Sequence, residues 1–253
     1  MSKQWSHKVN PAWLMARKTV VTATELRDLR TAYKKATVAQ KKGLAINETV
    51  ASLWADKHSL EVDPFSSGAA ARGHCLEPYA VQEFNESYKE MYHWDDCLLV
   101  DGFLGFSPDA MDVEQSESYG VKVHYSELVG QPTSILEIKS YSAKNHIKSC
   151  ITAKEKLPER FQLAGAMAVC PSIEEAYLIF YNPSHEVGKF VVHYTREELQ
   201  EEIKEVRELA AWVRLQFQAC DNKLVPCRTS FTEDAIYKDY LEAEQLDNNF
   251  TIR

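Results

Sequence analysis

The chain has 253 residues, 45% of them hydrophobic and 26% charged, with a formal net charge of −8. Those values are ordinary for a soluble globular protein. No apolar run approaches the roughly 18 residues that a membrane-spanning helix needs, and Met1–His7 contains no apolar signal-peptide core, so a cytoplasmic protein is expected.

Six cysteines (Cys75, Cys97, Cys150, Cys170, Cys220 and Cys227) show no C-x-x-C pair and no regular spacing. That argues against a zinc site, an iron–sulfur cluster or a disulfide framework, and the thiols are expected to be structural. The overall acidity conceals an uneven distribution. Residues 1–43 carry ten Lys/Arg against Glu25 and Asp28, a net of +8, which leaves −16 for the remainder. Residues 139–160 form a second basic stretch with Lys139, Lys144, Lys148, Lys154, Lys156 and Arg160. Local basic surface is what holds phosphates, so net acidity does not exclude nucleic acid. Solvated helix faces would give the same charge runs.

Residues 11–21 lead into Thr22 and Glu25, which have capping-box spacing. Leu26, Leu29, Ala32, Tyr33 and Ala36 follow at helical period, with Gly43 suited to end that helix. Asn47 is placed to cap a second helix. Ser66-Ser67-Gly68 precedes a third, over about 69–92, in which Pro78 conflicts with the pattern and moves the expected start toward Glu77. The period then changes to that of strands: Cys97–Val100 and Phe103–Phe106, joined at Asp101-Gly102, and later Ile135–Lys139. Between them, residues 114–133 read as a polar insertion at a sheet edge. Pro158–Val169 reads as a helix, Ala176–Tyr181 and Lys189–Tyr194 as strands, and Thr195-x-x-Glu198 as the opening of a long amphipathic helix. The order predicts one α/β domain over 1–253, a mixed sheet flanked by helices. Basic helices occupy 1–66, the core 67–194 and further helices 195–253.

Two sites on this frame carry chemistry. Asp109 closes an apolar strand. Glu137 and Lys139 are two apart on another, so their side chains share a face while Leu136 and Ile138 point into a core. Phosphodiester hydrolysis needs an aimed hydroxide, charge stabilisation and help for the leaving oxygen. Divalent metal ions held by carboxylates supply all three. Asp109 and Glu137 are the candidate ligands, with the backbone carbonyl of Ile138 between Glu137 and Lys139. Lys139 would orient or help deprotonate water and offset charge. Glu77, on the preceding helix, would complete a second metal position. Spacing alone proves little, because Glu202-Ile203-Lys204 (helical context) and Asp221-Asn222-Lys223 (a Cys/Pro-bounded loop) match the same pattern. An exposed strand face with a weak ion pair would give it too.

Five segments together resemble the YqaJ-type viral recombinases, the phage lambda exonuclease family within the PD-(D/E)xK nuclease superfamily. They are Trp13-x-x-x-Arg17 with Val21–Glu25, Arg72-Gly73-x-x-x-Glu77-Pro78, Gly105-Phe106-Ser107-Pro108-Asp109, Leu136-Glu137-Ile138-Lys139, and Arg160-Phe161-Gln162-Leu163-Ala164-Gly165. The resemblance implies a restriction-endonuclease-like core and Mg²⁺, with Mn²⁺ as a substitute. It also implies degradation of one strand of linear duplex DNA from its 5′ end, in phage-type recombination inside a bacterial host, leaving an overhang for a single-strand annealing protein. It implies that Arg17 and Thr24 contact the terminal phosphate, and that Ser107 and Gln162 are supporting or substrate contacts. Thr24 stands where the family often has Ser, which keeps a hydroxyl donor. The chain departs from the family in the step of 28 positions from Asp109 to Glu137, a longer gap than the family's, and in residues 195–253, which match no family element. A homo-oligomer is not legible in these motifs. The alternatives are a nuclease of the same fold acting on single-stranded or other DNA, and an inactive DNA- or protein-binding member. The presence of Glu77, Asp109, Glu137 and Lys139 weighs against the last.

Overall fold

A computed structural model describes residues 11–59, 68–94, 97–114, 121–128, 130–152 and 158–224. Residues Met1–Ala219 form one compact unit, and Cys220–Arg253 a second. Ahead of the strands come α1 (Pro11–Lys18), β1 (Val21–Thr22), α2 (Ala23–Lys35), α3 (Val38–Lys41), α4 (Glu48–His58) and α5 (Gly68–Tyr88). The strands β2 (His93–Trp94), β3 (Leu98–Asp101), β4 (Leu104–Phe106), β5 (Ala110–Met111), β6 (Lys122–His124) and β7 (Ser134–Lys139) follow. The chain continues through α6 (Ala143–Thr152), α7 (Pro158–Val169), β8 (Glu175–Tyr181), β9 (Lys189–Thr195) and α8 (Gln200–Lys223).

Two sheets result, in the orders β1-β4-β3-β6 and β2-β5-β7-β8-β9. β7 pairs parallel with β8 along its whole length and antiparallel with β5, so the larger sheet is mixed. Its central strand, β7, is buried along five of its six residues, as a strand covered on both sides is. Leu136 and Ile138 join Ala80, Val81 and Phe84 of α5, whereas Ile135 joins the larger core with Leu26, Phe161, Leu163, Leu178 and Val206. α5 thus covers one face, and α2, α7 and α8 contribute to the core on the other.

Thr22 caps α2 as expected. Its hydroxyl accepts from the Glu25 amide at 3.4 Å, and the Glu25 carboxylate accepts from the Thr22 amide at 2.7 Å. The helix stops at Lys35, not Gly43, because Thr37 and Gln40 form a second capping box that starts α3. Gly43, at φ +70, follows that short helix. α5 begins at Gly68 and runs through Pro78; there the ring removes only the one hydrogen bond that would reach the His74 carbonyl. Gly102, at φ +57, makes the two-residue β3–β4 turn of the kind that needs a glycine in its first position. The 114–133 insertion contributes β6, which pairs with β3 at the edge of the smaller sheet. Thr195 and Glu198 do make reciprocal bonds, yet residues 196–199 form a turn and α8 starts at Gln200. In that turn the Arg196 guanidinium reaches back to the carbonyl of Met167 in the last turn of α7 and to those of Cys170 and Ile173 just past it.

Cys97, Cys170 and Cys220 are buried, Cys75 and Cys150 half-buried, and all five are free thiols. Cys227 lies outside the described residues. Among the described residues no helix is long and apolar enough to cross a membrane.

Candidate active site

Ser107-Pro108-Asp109 carries the chain from the smaller sheet to the larger. The Ser107 hydroxyl donates to the Cys97 carbonyl at 2.7 Å, which anchors the crossing to the start of β3. Gly105 is required just before it, since a Cβ there would fall 2.4 Å from Val20 Cγ2. β5 then runs antiparallel to β7, and this delivers Asp109 beside Ile138. The Asp109 carboxylate accepts from the Ile138 amide at 2.7 Å, and the Asp109 amide donates to the Leu136 carbonyl at 3.3 Å.

Glu137 and Lys139 share the other face of β7, as alternation requires. Asp109 is 6% exposed and Glu137 3%, so both carboxylates are held out of water. Lys139 donates to Glu137 Oε1 at 2.6 Å. Burial by itself would lower the Lys139 ammonium, but the adjacent Glu137 and Asp109 outweigh it and the net shift is upward. A cation held there is suited to offset developing negative charge. Gln162, from α7, donates its amide to the same Glu137 oxygen at 2.7 Å.

One turn before Gln162 on α7, buried Glu159 accepts from the Tyr141 hydroxyl at 2.8 Å. Its other oxygen, Oε2, is buried without a hydrogen-bond partner among the described residues. Burial, then Glu159, pushes the Tyr141 phenol up to about 12. This pair escaped the sequence reading. The signal available was the three-residue spacing of Glu159 and Gln162, which puts them on one helical face.

Glu77 hydrogen-bonds His74 Nδ1 at 2.9 Å on α5. A Cβ on Gly73 would lie 4.0 Å from Ser140, so this part of α5 passes the end of β7 beyond Lys139. Among the described residues, however, no three of His, Cys, Asp and Glu gather into a metal-holding group. Asp109 is brought next to the Glu137 strand through its bond to the Ile138 amide, while Glu77 lies on α5 and joins no such group of three.

Arg17 and Thr24 belong to a neighbouring cluster. The Arg17 guanidinium lies 4.6 Å over the Trp13 ring and has no hydrogen-bond acceptor among the described residues. Burial lowers its pKa, against the opposing pull of Glu25. Thr24 sits in the first turn of α2. That turn packs on α7 so closely that a Cβ on Gly165 would fall 2.2 Å from Ala23 Cβ. Gly165 is three residues past Gln162, so the first turn of α2 and the Glu137 site are linked through one helix.

The rival Glu-x-Lys matches lack this setting. Glu202 lies in α8 and pairs with Arg160 at 2.9 Å. Asp221-Asn222-Lys223 is the helical end of α8, not the expected loop. Glu202→Ala is expected to leave DNA cleavage within about twofold of wild type and to cost up to about 1 kcal/mol of stability, the range of partly exposed ion pairs. Gln162→Ala, by contrast, should lower cleavage about 10- to 100-fold, as loss of a residue orienting a ligand does. Initial rates on linear duplex and thermal melts check both.

Residues 12–170 match the YqaJ-like viral recombinase domain. No curated protein sequence matches the chain. Among solved structures, it is similar to the alkaline exonuclease LHK-Exo from Laribacter hongkongensis, at 22% identity and a TM-score of 0.59, over 84% of this chain and 96% of that one. LHK-Exo in complex with dAMP gives 23% identity, the same TM-score of 0.59 and the same coverage of 84% and 96%. A phage related exonuclease from Haemophilus somnus 129PT matches at 14% identity and a TM-score of 0.53, over 81% and 96% of the two chains. These likenesses show the fold, a mixed sheet flanked by helices. The domain match spans well over half of the sequence and includes Arg17, Glu77, Asp109, Glu137, Lys139 and Gln162, and the chain belongs to the YqaJ-like viral recombinase family.

Proposed function

We propose that the protein is a metal-dependent DNA exonuclease that hydrolyses one strand of linear duplex DNA, working from the 5′ end in phage-type recombination. The observation carrying this reading is a pair of buried carboxylates at β7, Asp109 bonded to the Ile138 amide and Glu137 on the strand itself, with the Lys139 ammonium 2.6 Å from Glu137. Family membership and the exonuclease fold agree with it.

The donor set suits a hard cation. Two buried carboxylates and the Ile138 carbonyl offer only oxygen, and Mg²⁺ characteristically takes one or two protein carboxylates and keeps several waters. Bound there, Mg²⁺ (or Mn²⁺) would supply Lewis acidity and an activated water, with Glu77 the remaining carboxylate proposed to assist. The rest falls to the protein's own groups. Lys139 presents a positive charge to the phosphoryl oxygens as they gain negative charge. Gln162 fixes the orientation of Glu137, and Ser107 fixes the backbone that delivers Asp109.

Arg17, whose N–H groups lack a protein acceptor among the described residues, and Thr24, in a helical first turn, suit the phosphate of a strand end. An annealing protein that takes up the overhang, and a second copy of the chain, belong to the same reading. Linear and covalently closed circular duplexes test the exonuclease claim. Mg²⁺-dependent loss of the linear form alone is expected, and equal loss of both would replace the exonuclease with an endonuclease.

A further inference from the structure

Lys57 is a charged residue that nothing in the catalytic set accounts for. It lies on α4, and its side chain is only 6% exposed. Its ammonium donates to the Arg17 carbonyl at 2.9 Å and to Glu25 Oε1 at 2.7 Å. The other Glu25 oxygen accepts from the Thr22 amide at 2.7 Å, closing the N-terminal cap of α2. One buried ammonium therefore ties the last turn of α1, which carries Arg17, to the first turn of α2, which carries Thr24. Lys18 adds a second tie between α1 and α4, donating to the Ser59 carbonyl just past α4 at 2.6 Å.

Simple packing does not explain this choice of residue. An apolar side chain would fill the same space without the desolvation cost of a charge. That cost is visible in the Lys57 pKa, which burial lowers despite the neighbouring Glu25. What an apolar residue cannot do is hold a backbone carbonyl and a capping carboxylate at once.

We propose that Lys57 is a positioning residue for recognition of the terminal phosphate, holding Arg17 and Thr24 in register so that a phosphorylated strand end is preferred over a hydroxyl end. This rests on the reading that Arg17 and Thr24 bind that phosphate. Lys57→Met alone would strand the Glu25 carboxylate. The working variant is therefore Lys57→Met with Glu25→Gln, which keeps an acceptor for the Thr22 amide because Gln also serves in a capping box.

The experiment measures kcat and KM on linear duplexes bearing 5′-phosphate or 5′-hydroxyl ends, with melts as a folding control. For the double variant, KM on phosphorylated ends should rise about tenfold, the scale of a small misplacement of a binding group, while kcat stays within about twofold. In an Arg17→Ala background the same substitutions should add nothing further. Should the double variant melt early, Lys57→Arg, which keeps the charge on a different head group, provides the same comparison. A folded variant that retains the wild-type preference overturns the role of Lys57 alone. A wild-type protein that does not distinguish the two ends overturns the phosphate reading beneath it.

Discussion

Asp109→Asn is expected to abolish cleavage while leaving the fold in place. The Asp109 carboxylate is buried and accepts from the Ile138 amide at 2.7 Å. Asparagine keeps a carbonyl oxygen for that bond, so β5 should stay paired with β7 and stability should change by no more than about 1–2 kcal/mol. What disappears is the negative charge that a hard cation requires, and cleavage should fall by about 10³-fold or more, beyond the loss seen for a single transition-state donor. Lys139→Met should act similarly by removing the cation next to Glu137. Steady-state rates, DNA-binding measurements and thermal melts separate the effects: binding and melting near wild type with cleavage gone is the expected pattern. Substantial cleavage by a folded Asp109→Asn variant contradicts the site.

Gly165→Ala should produce the largest loss of stability among small substitutions. The added Cβ would fall 2.2 Å from Ala23 Cβ and 3.3 Å from Ala23 Cα. Both atoms are fixed to helical backbone, so no rotamer relieves the clash and α2 and α7 must separate. Overpacking of this kind costs about 1–3 kcal/mol or more, a fall in Tm of about 2–4 °C per kcal/mol for a unit of this size. The same movement draws the first turn of α2, with Thr24, away from the helix that carries Gln162, so cleavage should fall as well. Ala23→Gly combined with Gly165→Ala should restore much of the melting temperature. A single variant as stable as wild type would show that the helices do not meet there.

The site was legible where its geometry is local. Glu137 and Lys139 follow from strand alternation between Leu136 and Ile138, and the two cores that receive those residues and Ile135 confirm the alternation. The capping box at Thr22 and Glu25 and the tight turn at Gly102 were readable for the same reason. Asp109 was expected to close the apolar strand, but β4 ends at Phe106 and Asp109 directly precedes β5. That two-residue strand is too short to leave a periodic signal, and its pairing with β7 brings the Asp109 carboxylate to the Ile138 amide. β1 and β2, equally short, were missed in the same way. Lys57 with Glu25, and Tyr141 with Glu159, join residues 32 and 18 apart in sequence, pairings set by helix packing that no local pattern encodes. The expected helix boundaries at Gly43, Glu77 and Thr195 failed where a side chain offered the backbone a different partner or a proline was tolerated within the helix.

The most direct test of the account is digestion of a linear duplex labelled separately at each 5′ and 3′ terminus, with Mg²⁺ and with EDTA. The account predicts Mg²⁺-dependent release beginning at the 5′ labels, suppressed by EDTA and absent in Asp109→Asn. Digestion that persists in EDTA, or no digestion with any divalent metal, would contradict it.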